Sequence, residues 1–241
     1  MGRNMRVGTR AIQLVFVAFA LSACVQPAPV SAPVAAVSGA ALSPQEAAKN
    51  FVAVVRQVEP VAEHYCRAFK RVANCDFQIA IDDRPGQPPN AFQTVDAAGR
   101  PILAFTLPLI RDARSRDELA FVMGHEAAHH IAGHLMRQRD TAVAGAVLAG
   151  VLAQVSGGGA QDIAQAKNRG AALAARGYSK ELELEADSLG AEIAYVAGFD
   201  PRLGAAFFDR LPDPGDQFLG THPAHEARKR VVAESVARLG G

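Results

Sequence analysis

The chain has 241 residues, with 25 Lys and Arg against 24 Asp and Glu, a net charge of +1. Hydrophobic residues make up 49% and charged residues 20%, which excludes a disordered or collagen-like chain and leaves enough apolar mass for a real core. The near-neutral charge lacks the basic surplus that phosphate neutralisation needs, and 6% aromatics with no Trp exclude a stacking platform, so no nucleic-acid partner is expected.

Residues 1–10 carry Arg3, Arg6 and Arg10 and no acid, and residues 11–23 are almost wholly apolar. A basic segment followed by a short apolar one is the layout of a secretory signal, and it falls short of the about 20 residues of a membrane-spanning helix. The run Leu21-Ser22-Ala23-Cys24 resembles the lipobox of bacterial lipoproteins. That resemblance implies cleavage after residue 23, acylation of Cys24 and, because Val25 follows, sorting to the outer membrane; an ordinary signal with a chance Cys is the alternative. Removing residues 1–23 leaves 218 residues with 22 basic and 24 acidic side chains, a net of −2. Residues 26–42 are mostly Pro, Ala, Val and Ser without a charge, so 24–42 reads as a flexible tether. The folded domain, residues 43–241, opens on Ser43-Pro44-Gln45-Glu46, an N-cap with Pro at N1 and Glu at N3.

Helical spacing of Phe51, Val54, Val55, Val58, Val61, Ala62 and Tyr65 predicts a helix over 43–70. Cys66 and Cys75 lie nine positions apart in an exported chain, and a disulfide tying that helix to a strand over 76–81 is expected. Zinc ligation by the pair is the alternative, without a CxxC to support it. Further strands are predicted at Ala91–Val95 and Pro101–Thr106 and a long helix over 116–139. Residues 141–155, rich in Ala, Gly and Val, predict a helix of about 22 Å, too short to cross a bilayer and read as a buried packing helix. The segment 156–159 is a Gly-rich break, and helices over 178–197, 200–211 and 222–239 follow. The fold class is α+β, mainly helical, with a small sheet.

Residues 125–129 read His-Glu-Ala-Ala-His. On a helix i and i+4 share a face, so His125 and His129 can hold one metal, with Glu126 beside them as a base for water. From the chain's own 7 His and 11 Glu, this pattern arises by chance in roughly one such sequence in a hundred, so an ordinary helix with surface histidines is the weaker reading. A catalytic zinc takes three protein ligands. A third His ten positions after the first is absent, because His134 falls at nine. Glu181, Glu183 and Glu185 on the later helix remain as gluzincin-type candidates. His130 and His134, themselves i and i+4, could hold a second metal. His64 and His225 read as surface and helix-face residues.

His-Glu-Ala-Ala-His-His, then Glu-Leu-Glu-Ala-Asp at 183–187 in its Glu183-to-Asp187 spacing, then His222-Pro223 resemble the HtpX-like zinc metallopeptidases, metallopeptidase family 48. Residues 44–238 follow the family's order. Within the family the chain is closest to the compact periplasmic lipoprotein type, BepA-like and LoiP-like. The resemblance implies a gluzincin-like domain with a small sheet flanking the zinc helix. It implies one Zn2+ held by His125, His129 and Glu183, and Asp187 orienting a ligand His. It leaves Glu181 and Glu185 as solvated positions. His222 would act as a latch on the metal or as an oxyanion donor, with Arg228 anchoring its loop to an acid. The strand Pro101–Thr106 would hold an extended substrate. The expected function is a zinc endopeptidase lipid-anchored at the periplasmic face of the outer membrane, with unfolded or misassembled envelope proteins as substrates. A non-proteolytic envelope chaperone with a structural zinc is the alternative. Around residues 93–100 the chain departs from the family's Gly-rich turn.

Overall fold

The computed structural model describes residues 42–175, 177–211 and 223–240. The signal, Cys24 and almost all of the tether lie outside the described residues, as does His222.

Helix α1 (Pro44–Phe69) starts where the capping signals place it: the Ser43 side chain accepts from the Glu46 N–H and Glu46 reaches back to the Ser43 N–H. Its apolar stripe, Phe51, Val54, Val58, Ala62 and Cys66, is buried. Phe51 meets Phe105 of the sheet edge-on at 5.2 Å between centroids. Cys66 and Cys75 are joined, with Cα atoms 5.7 Å apart. We expect thiol labelling of the unreduced protein to find neither cysteine. Reduction should cost about 2–3 kcal/mol by the loop-entropy argument, read as a lower denaturation midpoint. Labelling of both cysteines without reductant would refute the bond.

Strands β1 (Gln78–Asp82), β2 (Ala91–Val95) and β3 (Pro101–Thr106) form one sheet in the order β1-β3-β2. β1 runs parallel to β3 (Gln78 opposite Ile102) and β2 antiparallel to it (Gln93 opposite Leu103). β3 is therefore bonded on both sides. This corrects the expectation that Pro101–Thr106 takes up an extended substrate, since it has no edge to offer. The edge that packs beside the next long helix belongs to β2.

β3 runs into the short helix α2 (Leu107–Asp112), capped by Thr106. Helix α3 (Arg116–Ile131) follows, with Ser115 accepting from the Glu118 N–H. From Glu118 to Ile131 every α3 residue but Val122 is buried, so α3 is the axis of the domain. A helix buried all round must give each polar side chain a partner.

The helix expected over 116–139 breaks at Ala132 and Gly133. Gly133 adopts φ 71°, a left-handed conformation open to glycine at little cost, and α4 (His134–Val155) starts in a new direction. α5 (Ala160–Ala174) follows the Gly-rich break and folds back on α4 as a hairpin. α4 is consequently not the buried packing helix expected over 141–155. Only His134 and Gly150 in it are buried, and among the described residues nothing covers its outer face.

Helix α6 (Lys180–Val196), capped by Ser179, returns across α3. The chain ends in α7 (Pro201–Gly204), a 3-10 turn (Ala205–Arg210) and α8 (His225–Arg238), which packs on α6.

Candidate metal centre

α3 and α6 approach at two glycines. A methyl on Gly190 would lie 2.6 Å from the His125 nitrogen, and one on Gly124 would lie 2.5 Å from the Gly190 carbonyl oxygen. Backbones this close leave room for no side chain. The contact sets Glu183 and Asp187, which lie seven and three residues before Gly190, against the His125 face of α3.

The Nε2 atoms of His125 and His129 lie 3.0 Å apart. Glu183 reaches both, its Oε2 3.7 Å from His125 Nε2 and its Oε1 3.6 Å from His129 Nε2. The three ligand atoms lie within 4.8 Å of one another, and all three residues are buried. His125 Nδ1 donates to Asp187 Oδ1 at 2.9 Å, which leaves the Nε2 lone pair aimed at this point. Two imidazoles and a carboxylate converging at a buried site are a donor set that fits zinc.

Asp187 is itself fully buried and is held by Arg228, Nε to Oδ2 and Nη2 to Oδ1, both at 2.6 Å. The guanidinium stacks 4.1 Å over the Phe208 ring, which also stacks on His225, and its Nη2 lies 3.5 Å from Glu183 Oε2. Burial pushes the Asp187 carboxyl up, and its bonds from Arg228 and His125 outweigh burial and hold it below the usual range.

Glu126 faces the same space from α3. Burial pushes its carboxyl up to about 7, against the pull of His125 and Arg228 and with the help of the Glu183 charge. The Gln93 backbone of β2 pulls the carboxyl slightly down, which sets the sheet edge beside the base.

Three residues around His129 carry no signal in the five-residue motif. His134 Nδ1 lies 2.8 Å from His129 Nδ1, and its Nε2 lies 3.3 Å from Glu185 Oε2. On an unbroken helix i and i+5 do not share a face, and only the turn at Gly133 brings His134 back. Burial holds His134 below the ordinary imidazole range, against the charge of Glu185. Tyr178 stacks on the His129 ring, 4.1 Å between centroids at 18°. Gln93 receives the Tyr178 hydroxyl at 3.5 Å and lies 3.4 Å from His130. His130 and His134 do not form a second metal pair, because His130 Nε2 is bonded to the Asn74 carbonyl at 2.7 Å while His134 faces His129. His64 is exposed. Glu185 is not a bare solvated residue: it bridges Arg71 at 3.0 Å and Arg137 at 2.7 Å.

Glu183→Ala should therefore lose most of the bound metal, while Glu185→Ala should keep it; metal analysis after dialysis reads both. Retention in Glu183→Ala with loss in Glu185→Ala would reverse the assignment.

A sequence profile described as peptidase family M48 matches residues 49–236. Over 139 residues the chain is 31% identical to the mitochondrial metalloendopeptidase OMA1 of Arabidopsis thaliana, covering 56% of this chain and 27% of the relative. Over 137 residues it is 34% identical to a beta-barrel assembly-enhancing protease of Vibrio cholerae, covering 50% of this chain and 28% of the relative. The chain thus aligns with little more than a quarter of the length of each of these curated relatives.

Proposed function

The chain belongs to peptidase family M48, whose members are metal-dependent, and from that premise we propose that it is a zinc endopeptidase of the bacterial envelope. In this reading it is acylated at Cys24, held at the periplasmic face of the outer membrane, and cleaves misfolded or misassembled envelope proteins. The observation that carries the catalytic part is the convergence of His125, His129 and Glu183 beside a buried Glu126. The similarity to a beta-barrel assembly-enhancing protease supports the envelope part.

His125, His129 and Glu183 would hold the zinc. Zinc there would polarise the scissile carbonyl and make a nearby water more acidic. Glu126 takes the proton of the attacking water and passes it to the leaving amine. Burial raises the Glu126 carboxyl toward neutral pH in the metal-free chain, and a raised carboxyl is suited to carrying a proton between two groups. Asp187 and Arg228 fix the His125 tautomer, and His134 and Tyr178 fix the His129 ring. An extended substrate pairs with the open edge of β2, which runs next to Glu126 through Gln93. A structural zinc in a chaperone has no use for a buried base in this position, which favours the enzyme.

Purified mature protein should cleave unfolded casein, stop with a zinc chelator and recover on added zinc. A stoichiometrically zinc-loaded chain that leaves casein intact would defeat the reading. Mass analysis of the mature N-terminus tests the acyl chains on Cys24 separately.

A further inference from the structure

The α4–α5 hairpin has two unlike sides. On α4 the small residues Gly145, Ala149 and Gly150 face α5, where a methyl on Gly145 would meet Ala174 and the Gly170 carbonyl at 2.7 Å. The other half of the α4 circumference carries Val143, Val147, Leu148, Val151, Leu152 and Val155, each between 49% and 75% exposed. From residue 141 to residue 161 there is no charged side chain. A contiguous aliphatic face of this kind is rare on a monomeric soluble protein. α5, in contrast, exposes Asp162, Lys167, Asn168 and Arg169.

We propose that the outer face of α4 docks on a lipid bilayer surface, with α5 as the water-facing layer. Four observations bear on this occupant: the first favours a bilayer over a protein, the next two a surface position over a span, and the last puts a bilayer within reach. The face carries no aromatic and no Arg, the anchors that specific protein interfaces concentrate at their centres, and offers Val, Leu and Ala with one exposed amide, Gln154. A bilayer asks for apolar area without a matching shape, and this face supplies that. Val143 to Val155 covers about 18 Å of helix, too short for the about 30 Å hydrocarbon core and suited to lying in one interface with a polar layer above. No helix among the described residues is long and apolar enough to cross a membrane, so the hairpin is not a span. Finally, Cys24 and Leu42 are 18 positions apart, a reach of about 60 Å when extended, so an acylated Cys24 keeps the hairpin within reach of the same bilayer. That last argument rests on the proposed anchoring; the first three do not. Because α4 begins at His134, behind His129, docking fixes the zinc cleft at a set height over the membrane.

The test uses the mature chain carrying Cys24→Ser, so that no acyl chain and no residue of segment 11–23 contributes. Flotation with vesicles of phosphatidylethanolamine and phosphatidylglycerol should bring the protein up with the lipid. Val147→Asp with Val151→Asp should lower the bound fraction at least tenfold, and Val147→Ser with Val151→Ser should fall between. Both substituted positions are solvent-facing, so the circular dichroism spectrum, melting temperature and casein cleavage in lipid-free buffer should not change. Binding supports the inference whatever becomes of the anchor, and casein cleavage is scored independently. No flotation of the Cys24→Ser chain overturns it. A dimer in lipid-free solution that the Asp substitutions dissociate, without flotation, overturns it in favour of a second copy. Loss of casein binding without any flotation overturns it in favour of a substrate surface.

Discussion

Glu126→Gln should lower casein hydrolysis by about 10²–10⁴-fold while bound zinc and melting temperature stay at wild-type values. Gln matches Glu in shape, so the packing of α3 against β2 is kept. What is lost is a group that can take and return a proton. The substitution also removes a buried carboxyl, whose ionisation is opposed by burial and by the Glu183 charge, so no stability penalty is expected. A fall in zinc content would mean that Glu126 helps to hold the metal, and residual activity near wild type would place the base elsewhere.

The second large effect is on stability. Asp187→Ala strips Arg228 of both its 2.6 Å bonds while leaving the guanidinium buried. Removing one partner of a buried pair costs about 3–5 kcal/mol, and the charge left behind keeps only the longer contact of Nη2 with Glu183 Oε2 at 3.5 Å. The stacking on Phe208 remains but cannot replace the carboxylate. The same change releases His125 Nδ1, so zinc affinity should fall by about 10–100-fold even where the protein is still folded. Asp187→Asn keeps the volume and should lose less stability while losing comparable zinc affinity. Denaturant melts and zinc titration of the two variants separate the roles. The folded pKa of Asp187 is depressed, so its contribution is complete above the unfolded carboxylate value of about 3.9 and is lost as pH falls through the folded value. If Asp187→Ala melts like the wild type, the pair is not what holds α8 to the site.

Much of the site was legible because helical geometry is periodic. His125, Glu126 and His129 are a local pattern on one helix, and the Glu183-to-Asp187 spacing is another. Each also needed only its own helix to be intact, and both helices are. The helix start at Ser43 was written in its capping box, while the caps at Ser115 and Ser179 emerged only in the structure. What the sequence hid depends on where chains meet. The contact of His134 with His129 was hidden because the helix expected over 116–139 was continuous, and a single glycine at 133 changed the direction of the chain. Glu185 read as solvated because its partners, Arg71 and Arg137, come from distant elements. The order of the strands was equally silent: nothing in Pro101–Thr106 tells that it pairs on both sides, and its apolar run fits a central strand as well as an edge. The apolar run over 141–155 was taken for core because apolar residues are usually inside, a rule that fails for one face of a hairpin with nothing packed on it.

The contact of Gly124 with Gly190 has a further consequence for how the metal arrives. Two main chains touching leave no side chain between them that could repack, so the gap between the His125 and Glu183 ligand atoms is a property of the scaffold. A pocket whose bite is fixed this way is a template formed before loading. Its uptake of an ion then requires little ordering of the chain, so zinc association should approach simple diffusional entry and show little change in heat capacity. It also means that ions of different size are met by one opening, with the discrimination carried by backbone distance more than by the flexibility of the ligands.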